Sequence, residues 1–237
     1  MERRTFVFIV CSPHARVGVS TTARLLTDFY LSRRRPVEGF DTDPHEPDYG
    51  AWFPDHVRVV DAAAITGQIS LFDRLLVNDE TPKIVDIWHR SYERFFATVR
   101  DIGFFEEARR HAVEPIILFQ ADATQGALAS ALALNAAWPD LAMVVVHNEG
   151  AAPLGEQPHD ILHRYPARGK FVIAPLDGPV AKLLTNPSLS LTRFLLAPPS
   201  DMSIVLRAAL RHWILQSFTQ FQSFELRLEL EASKYLR

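Results

Sequence analysis

The sequence predicts an α/β protein with a doubly wound, mostly parallel sheet flanked by helices, followed by a long C-terminal helix. Short apolar runs rich in β-branched residues alternate with segments of helical spacing, as in sheets whose strands are buried on both faces. Residues 200–237 carry apolar side chains at three-, four- and seven-residue intervals, which is typical of a helix with a wide apolar face. A length of 237 residues fits a single α/β domain with an ample core.

The first element is a predicted strand at residues 7–11, which enters a short polar loop. The chain leaves this loop through Ser20-Thr21-Thr22 into a helix predicted at 22–31. This order of strand, loop and hydroxyl-rich helix start is the local plan of a phosphate-binding loop. Backbone N–H groups and the helix N-terminus face an anion in such loops.

The following elements alternate between strand and helix. Segment 44–54 is rich in proline, acidic and aromatic residues and is predicted to be irregular, and the helix predicted at 92–112 is broken near Gly103. Strands are predicted at 37–41, 56–60, 83–87, 115–119 and 141–146, and further helices at 69–76 and 124–137.

Acidic and amide side chains follow several of these strands. In doubly wound sheets ligands bind at the carboxyl ends of the strands, so we expect five residues to converge there: Gly18, Asp41, Asp43, Asp86 and Asn148. Hard carboxylate oxygens suit Mg²⁺ and can position water. Two alternatives stay open, because Asp-Thr-Asp-Pro and a strand-end asparagine are also ordinary turn formers.

Residues 14–21, His-Ala-Arg-Val-Gly-Val-Ser-Thr, resemble the deviant Walker A loop of the ParA/MinD family of P-loop ATPases, K-G-G-x-G-K-[ST]-T. Gly18, Ser20 and Thr21 are retained. His14 stands in place of the signature lysine, and Val19 replaces the lysine that grips the phosphates. Residues 41–45 similarly resemble the D-x-D-P-Q segment of that family, and 171–177 resemble its last parallel strand and following loop.

The resemblance implies a P-loop NTPase-like domain at 1–199 and a separate apolar helix at 200–237 that packs on the domain or on a partner. It also implies roles for individual residues. If the protein is an active ATPase, the resemblance implies that Asp43 is the catalytic residue and assists the attacking water. The implied Mg²⁺ ligands are Ser20, Asp41 and Asp86, and the implied nucleotide-binding residues are Gly18, Ser20, Thr21, Arg16 and Asn148, with Asn148 at the adenine base.

The lost lysine decides the predicted function. Valine offers neither a charge nor a hydrogen-bond donor, and losing one charge-assisted hydrogen bond costs about 10- to 100-fold in affinity. We therefore expect a degenerate pseudo-ATPase without a bound cofactor, acting as a regulatory or partner-binding module. The alternative is an unusual ATPase that binds Mg-ATP or Mg-ADP, with Arg16 replacing the lysine. A positioning factor on DNA or membrane is a second alternative that rests on family analogy alone.

Composition restricts the partners. A net charge of −3 gives no general attraction to nucleic acid or anionic membrane, so a protein partner or a homodimer is favoured. The single Cys11 excludes an intrachain disulfide and is predicted to be a buried thiol. No run approaches the roughly 18 apolar residues of a membrane span, and we expect a cytoplasmic protein. The C-terminal helix is expected to pack on its own domain first, with a partner second and a membrane third.

Overall fold

Within residues 4–151 and 161–234, which the computed structural model describes, seven strands form a single parallel sheet. The order across the sheet is third, second, fourth, first, fifth, sixth, seventh, and every pairing is parallel. The predicted doubly wound parallel sheet is confirmed. The strands are β1 (Thr5–Cys11), β2 (Glu38–Asp41), β3 (Val57–Val59), β4 (Lys83–Asp86), β5 (Val113–Ala121), β6 (Ala142–Asn148) and β7 (Gly169–Ile173).

Helices cover both faces of this sheet. The chain runs from β1 to β2 on one side and returns to β5 on the other, so the loop after β1 lies where the direction of winding reverses. The helices are α1 (Val19–Ser32), α2 (Asp48–Trp52), α3 (Ile65–Leu75), α4 (Tyr92–Asp101), α5 (Phe104–Arg110), α6 (Gln125–Ala137), α7 (Gly178–Leu184), α8 (Leu191–Leu196) and α9 (Ile204–Lys234).

Two hydrophobic cores lie on opposite faces of the sheet, and β1 contributes to both. Val7, Ile9 and Cys11 pack with helices α3 to α6, whereas Phe8 and Val10 pack with α1 and α9. This burial on both faces explains why β1 is a continuous apolar run in the sequence. Cys11 is a free, buried thiol, and burial raises its pKa, so it stays protonated at neutral pH.

The C-terminal helix α9 packs on the same face as α1. Its apolar side chains Leu210, Ile214, Phe218 and Phe221 are buried in that core. Phe29 of α1 makes edge-to-face ring contacts with Phe218 and Phe221, at centroid distances of 5.6 and 5.8 Å. The helix therefore completes one layer of the fold. The predicted segments 1–199 and 200–237 each include residues outside the described ranges.

Side chains of α9 also form hydrogen bonds with backbone groups in and just after β7, the strand at one edge of the sheet. The Gln220 amide donates to the carbonyl of Val172 and accepts from the N–H of Val172, both at 2.8 Å. Trp213, seven residues earlier, donates its indole N–H to the carbonyl of Ala174 at 2.8 Å. A strand at the edge of a sheet has no neighbouring strand on its outer side, and these bonds supply hydrogen-bond partners there instead.

A buried arginine anchors α1, the helix that carries the loop. Arg24 donates to the carbonyls of Leu184 at 2.6 Å and Leu189 at 2.5 Å, and its guanidinium lies 4.4 Å from the ring centroid of Trp52. Burial lowers the pKa of Arg24 to about 10, so the side chain remains charged at neutral pH. One buried cation thus connects α1 to the end of α7, to the segment that follows α7, and to α2.

Some element boundaries differ from the sequence-based prediction. Segment 44–54, predicted to be irregular, contains the short helix α2. The last helix begins at Ile204 rather than Ser200, because the chain first turns, with the Met202 N–H donating to the Pro199 carbonyl at 3.3 Å. The break near Gly103 is present. Gly103 has a φ of 62°, which ends α4 before α5 begins.

None of the helices in the described part of the chain is long and apolar enough to cross a membrane.

Replacing Gln220 with alanine tests the edge contact. The variant loses both hydrogen bonds to Val172, so we expect its free energy of unfolding to fall by about 1–3 kcal/mol. Hydrogen exchange at the Val172 amide should become faster in the same variant. Denaturant unfolding and exchange mass spectrometry measure these effects.

The exposed Gln222 on the same helix provides the control, and Gln222→Ala should change neither quantity. Equal exchange at Val172 in both variants would contradict the assigned contact.

Candidate functional site

The loop between β1 and α1 turns sharply at its end. Arg16 and Gly18 have positive φ values of 61° and 99°, and Gly18 directly precedes the first residue of α1. A Cβ at Gly18 would overlap the side-chain amide of Asn148, so only glycine fits this position. The loop thus keeps the backbone shape and the close approach that its glycine suggested.

The N-terminus of α1 points its backbone N–H groups into this loop without a side-chain cap. Gly18 supplies no capping side chain, and the first turn contains no acidic residue. Ser20 and Thr21 follow in that turn and are half-buried. The site therefore retains the backbone donors that favour an anion.

Val19 stands where the resemblance places the phosphate-gripping lysine, and it packs against the core. Its side chain is half-buried and contacts the core beneath α1. Arg16, the replacement cation considered from the sequence, is exposed. The loop thus combines a left-handed glycine and an uncapped helix start with an apolar side chain at Val19.

Three of the predicted acidic and hydroxyl residues meet below the loop. The parallel register pairs Asp41 of β2 directly with Asp86 of β4, so their side chains project from adjacent strands. The Ser20 hydroxyl donates to the Asp86 carboxylate. Burial raises the pKa of Asp86 well above its ordinary range, and the neighbouring Asp41 raises it further. The structure thus brings Ser20, Asp41 and Asp86 together.

Asp41 and Asp43 also organise the turn that follows β2. The two carboxylate oxygens of Asp41 accept from the N–H groups of Asp43 and Gly50, each at 3.0 Å. Asp43 accepts from the N–H groups of His45 at 3.0 Å and Glu46 at 3.1 Å. Burial raises the pKa of Asp41 despite these bonds. Both carboxylates therefore act in turn formation, the alternative that the sequence left open.

A metal centre is not preformed in the described part of the chain, where no group of three or more histidine, cysteine, aspartate or glutamate side chains is arranged to hold an ion. The donor set predicted for Mg²⁺ consists of Ser20, Asp41 and Asp86. Both carboxylate oxygens of Asp41 already accept backbone hydrogen bonds, and Asp86 accepts from Ser20. Mg²⁺ ligation by these residues remains a prediction.

Asn148 lies at the end of β6 and makes two local contacts. Its Oδ1 accepts from the Gly150 N–H at 3.0 Å, which forms a turn. Its amide nitrogen lies against Gly18. The residue therefore joins the loop to the end of β6, and its predicted contact with a base remains a prediction.

A contact between two side chains that the sequence did not indicate holds the loop to the end of β5. His14 Nδ1 lies 2.5 Å from Oδ2 of Asp122, whose other oxygen accepts from the N–H and hydroxyl of Thr124. Thr124 in turn caps α6 by accepting from the Ala127 N–H. The residue at the signature-lysine position is thus engaged within its own chain. The sequence gives a local signal only for the start of this helix, because threonine is a typical N-cap residue; it gives none for the contact with His14.

An aromatic and basic surface borders the loop side of the sheet, and we call it the Trp88 surface (His45, Trp88, His89 and Arg90). The rings of His45 and His89 lie 5.5 and 5.9 Å from that of Trp88, and the Arg90 guanidinium lies 5.4 Å from its centroid. Burial and the adjacent Arg90 lower the pKa of His89, so this imidazole is neutral at pH 7.

The raised pKa of Asp86 makes stability depend on pH. The folded chain holds this proton more tightly than the unfolded chain, so the contribution is full below about pH 4 and is lost as pH rises through the folded pKa. We expect the free energy of unfolding of wild type to fall relative to that of Asp86→Asn as the pH rises from about 4 to about 7. Chemical unfolding at several pH values measures this difference.

The exposed Asp73 on α3 offers a matched substitution, and Asp73→Asn should run parallel to wild type. Parallel curves for Asp86→Asn as well would show that Asp86 carries no such charge penalty.

No protein-family model and no curated protein matches the chain. Among solved structures, the fold is similar to a nucleotide-binding protein from Archaeoglobus fulgidus, determined in complex with ADP. The two chains are 13% identical, with a TM-score of 0.49, over 78% of this chain and 88% of the other. Similarity of this degree carries no information on ligand or activity, which the geometry of the site has to supply.

Proposed function

We propose that this chain is a degenerate ParA/MinD-like protein that acts as a regulatory or partner-binding module without efficient ATP hydrolysis. The observation that carries this proposal is the side chain of Val19, which packs against the core where a phosphate-gripping lysine would project into the loop. The loop keeps Gly18 in its left-handed conformation and keeps the bond between Ser20 and Asp86. These features support the proposal of a phosphate-site frame that lacks its cation.

Electrostatics argue against tight nucleotide binding by this frame. A charge-assisted hydrogen bond contributes about 1.5–3 kcal/mol, and valine supplies none. Asp41, Asp43 and Asp86 lie at the same edge of the sheet as the loop, and each of them repels phosphate when it is ionised unless a metal ion compensates its charge. Transfer chemistry is affected more strongly than binding, because the lysine normally stabilises charge that develops during the reaction.

The Trp88 surface supplies a candidate contact area for a protein partner. Trp88 is half-buried and Arg90 is exposed, and tryptophan and arginine are the residues most enriched at binding hot spots. Arg16, exposed on the adjacent loop, adds a second cation. We propose that the partner, a second copy or another protein, contacts this surface around Trp88.

Two observations favour the alternative, an unusual ATPase that binds Mg-nucleotide. The uncapped N-terminus of α1 and the Ser20–Asp86 pair are both features that a nucleotide-binding loop needs. In that case Ser20, Asp41 and Asp86 would hold Mg²⁺, Asp43 would assist the water, and Arg16 would supply the missing charge. Thr21 and Asn148 would then contact the nucleotide.

Calorimetry with Mg-ATP and Mg-ADP separates the two proposals. We expect no heat of binding from the wild-type chain at millimolar nucleotide. Val19→Lys restores a cation to an otherwise preserved loop, so it should bind nucleotide at least about tenfold more tightly than wild type.

A lysine at the exposed Ala15 controls for added charge alone, and Ala15→Lys should stay close to wild type. Micromolar binding by the wild-type chain, abolished by Arg16→Ala, would replace the pseudoenzyme proposal with the alternative.

Sedimentation over a range of protein concentrations tests the homodimer form of the proposal. If two copies associate through the Trp88 surface, Trp88→Ala should shift the equilibrium towards monomer, since removal of a central tryptophan typically costs about 2 kcal/mol or more.

Ile102→Ala, which removes an exposed apolar side chain at the end of α4, should leave the association unchanged. A wild-type chain that stays monomeric at every concentration would direct the search to a different protein partner.

A further inference from the structure

A second candidate site lies at the opposite edge of the sheet from the loop. A cavity of about 450 Å³ opens at the amino ends of β1, β5 and β6, where Phe6, Val113 and Ala142 line it. Pockets for small molecules commonly have volumes of about 300–1,000 Å³. The cavity is thus large enough for a metabolite, and no residue of the loop or of the Trp88 surface lines it.

Three arginines that are far apart in the sequence line this cavity. Arg4 precedes β1, Arg109 lies in the last turn of α5, and Arg168 precedes β7. Only the fold brings these residues together. A concentration of guanidinium groups in one concave site favours carboxylate or phosphate, because their planar N–H donors match those anions.

Backbone carbonyls orient two of the guanidinium groups. Arg109 donates to the carbonyl of Asp140 at 3.0 Å, and Arg168 donates to the carbonyl of Pro139 at 3.4 Å. The two acceptors are consecutive residues of the turn that precedes β6. The backbone of Arg168 is also held, because its N–H donates to the Met143 carbonyl at 2.9 Å. The two side chains therefore converge from defined anchor points.

Among the described residues, the carboxylates that line the cavity do not pair with Arg109 or Arg168. Glu114 is engaged by Arg4, at 2.9 Å between Nη1 and Oε2. Within the described residues, Arg109 and Arg168 make no ion pair with a carboxylate, and their side-chain partners there are the two carbonyls. With Asp140 included, the lining carries three arginines and two acidic residues, which is an excess of positive charge.

We propose that this cavity binds a small organic anion. Oxygens of its carboxylate or phosphate group accept hydrogen bonds from Arg109 and Arg168, and its apolar part packs against Phe6 and Leu228. Leu228 belongs to α9, so the bound molecule contacts both the sheet and the last helix. The proposal does not depend on the function of the loop.

Calorimetry on the full chain with two aromatic anions tests the proposal. Phenyl phosphate and benzoate share an apolar ring and differ in the anion, so they distinguish a phosphate site from a carboxylate site. We expect at least one of them to bind, and the neutral benzyl alcohol to bind more weakly. Arg109→Ala and Arg168→Ala should each weaken binding about tenfold or more, the consequence of losing a charge-assisted hydrogen bond.

Two control variants locate the binding. Arg110→Ala removes an exposed neighbour that pairs with Glu107, and Arg16→Ala removes the cation of the loop, so neither should change the affinity. Arg168→Gln, which keeps a donor for the Pro139 carbonyl, separates loss of charge from loss of structure and should weaken binding like alanine. The proposal is overturned if neither anion binds at millimolar concentration, or if Arg109→Ala and Arg168→Ala bind as wild type does.

Discussion

The register between β2 and β4 places Asp41 and Asp86 side by side at the buried edge of the sheet, and much of the surrounding structure compensates this pair. Two carboxylates in a buried setting are costly unless they are protonated or hydrogen-bonded. Asp86 accepts a hydrogen bond from the Ser20 hydroxyl, and Asp41 accepts hydrogen bonds from two backbone N–H groups of the following turn. The start of α1 and the turn after β2 are therefore both hydrogen-bonded to this pair of carboxyl groups.

The chain itself supplies hydrogen bonds to these carboxyl groups, and this affects which ligands the loop can bind. A phosphate site needs positive charge opposite its carboxylates, and here the equivalent position carries Val19, which packs into the core. His14, at the other lysine position of the resemblance, is held by Asp122 of the same chain. Both positions thus serve the internal stability of the loop.

The fold was accessible from the sequence because its signals are local. Apolar runs identified the strands, Gly103 identified the break between α4 and α5, and Gly18 identified the turn before α1. Element ends were less accurate, since a turn at Pro199–Met202 delays the last helix and α2 forms within a proline-rich segment. The pair formed by His14 and Asp122 was missed, because 108 residues separate its members.

The sequence by itself determined the alternation of strands and helices, the absence of a lysine from residues 12–19, and the residue types at the carboxyl edge of the sheet. These follow from periodicity and from side-chain chemistry, which act over a few residues. Only the tertiary structure decided which groups meet: that Val19 faces the core, that α9 closes the β7 edge through Gln220, and that three arginines share a cavity. Contacts of this kind depend on strand register and helix packing between distant segments, and no local pattern encodes them.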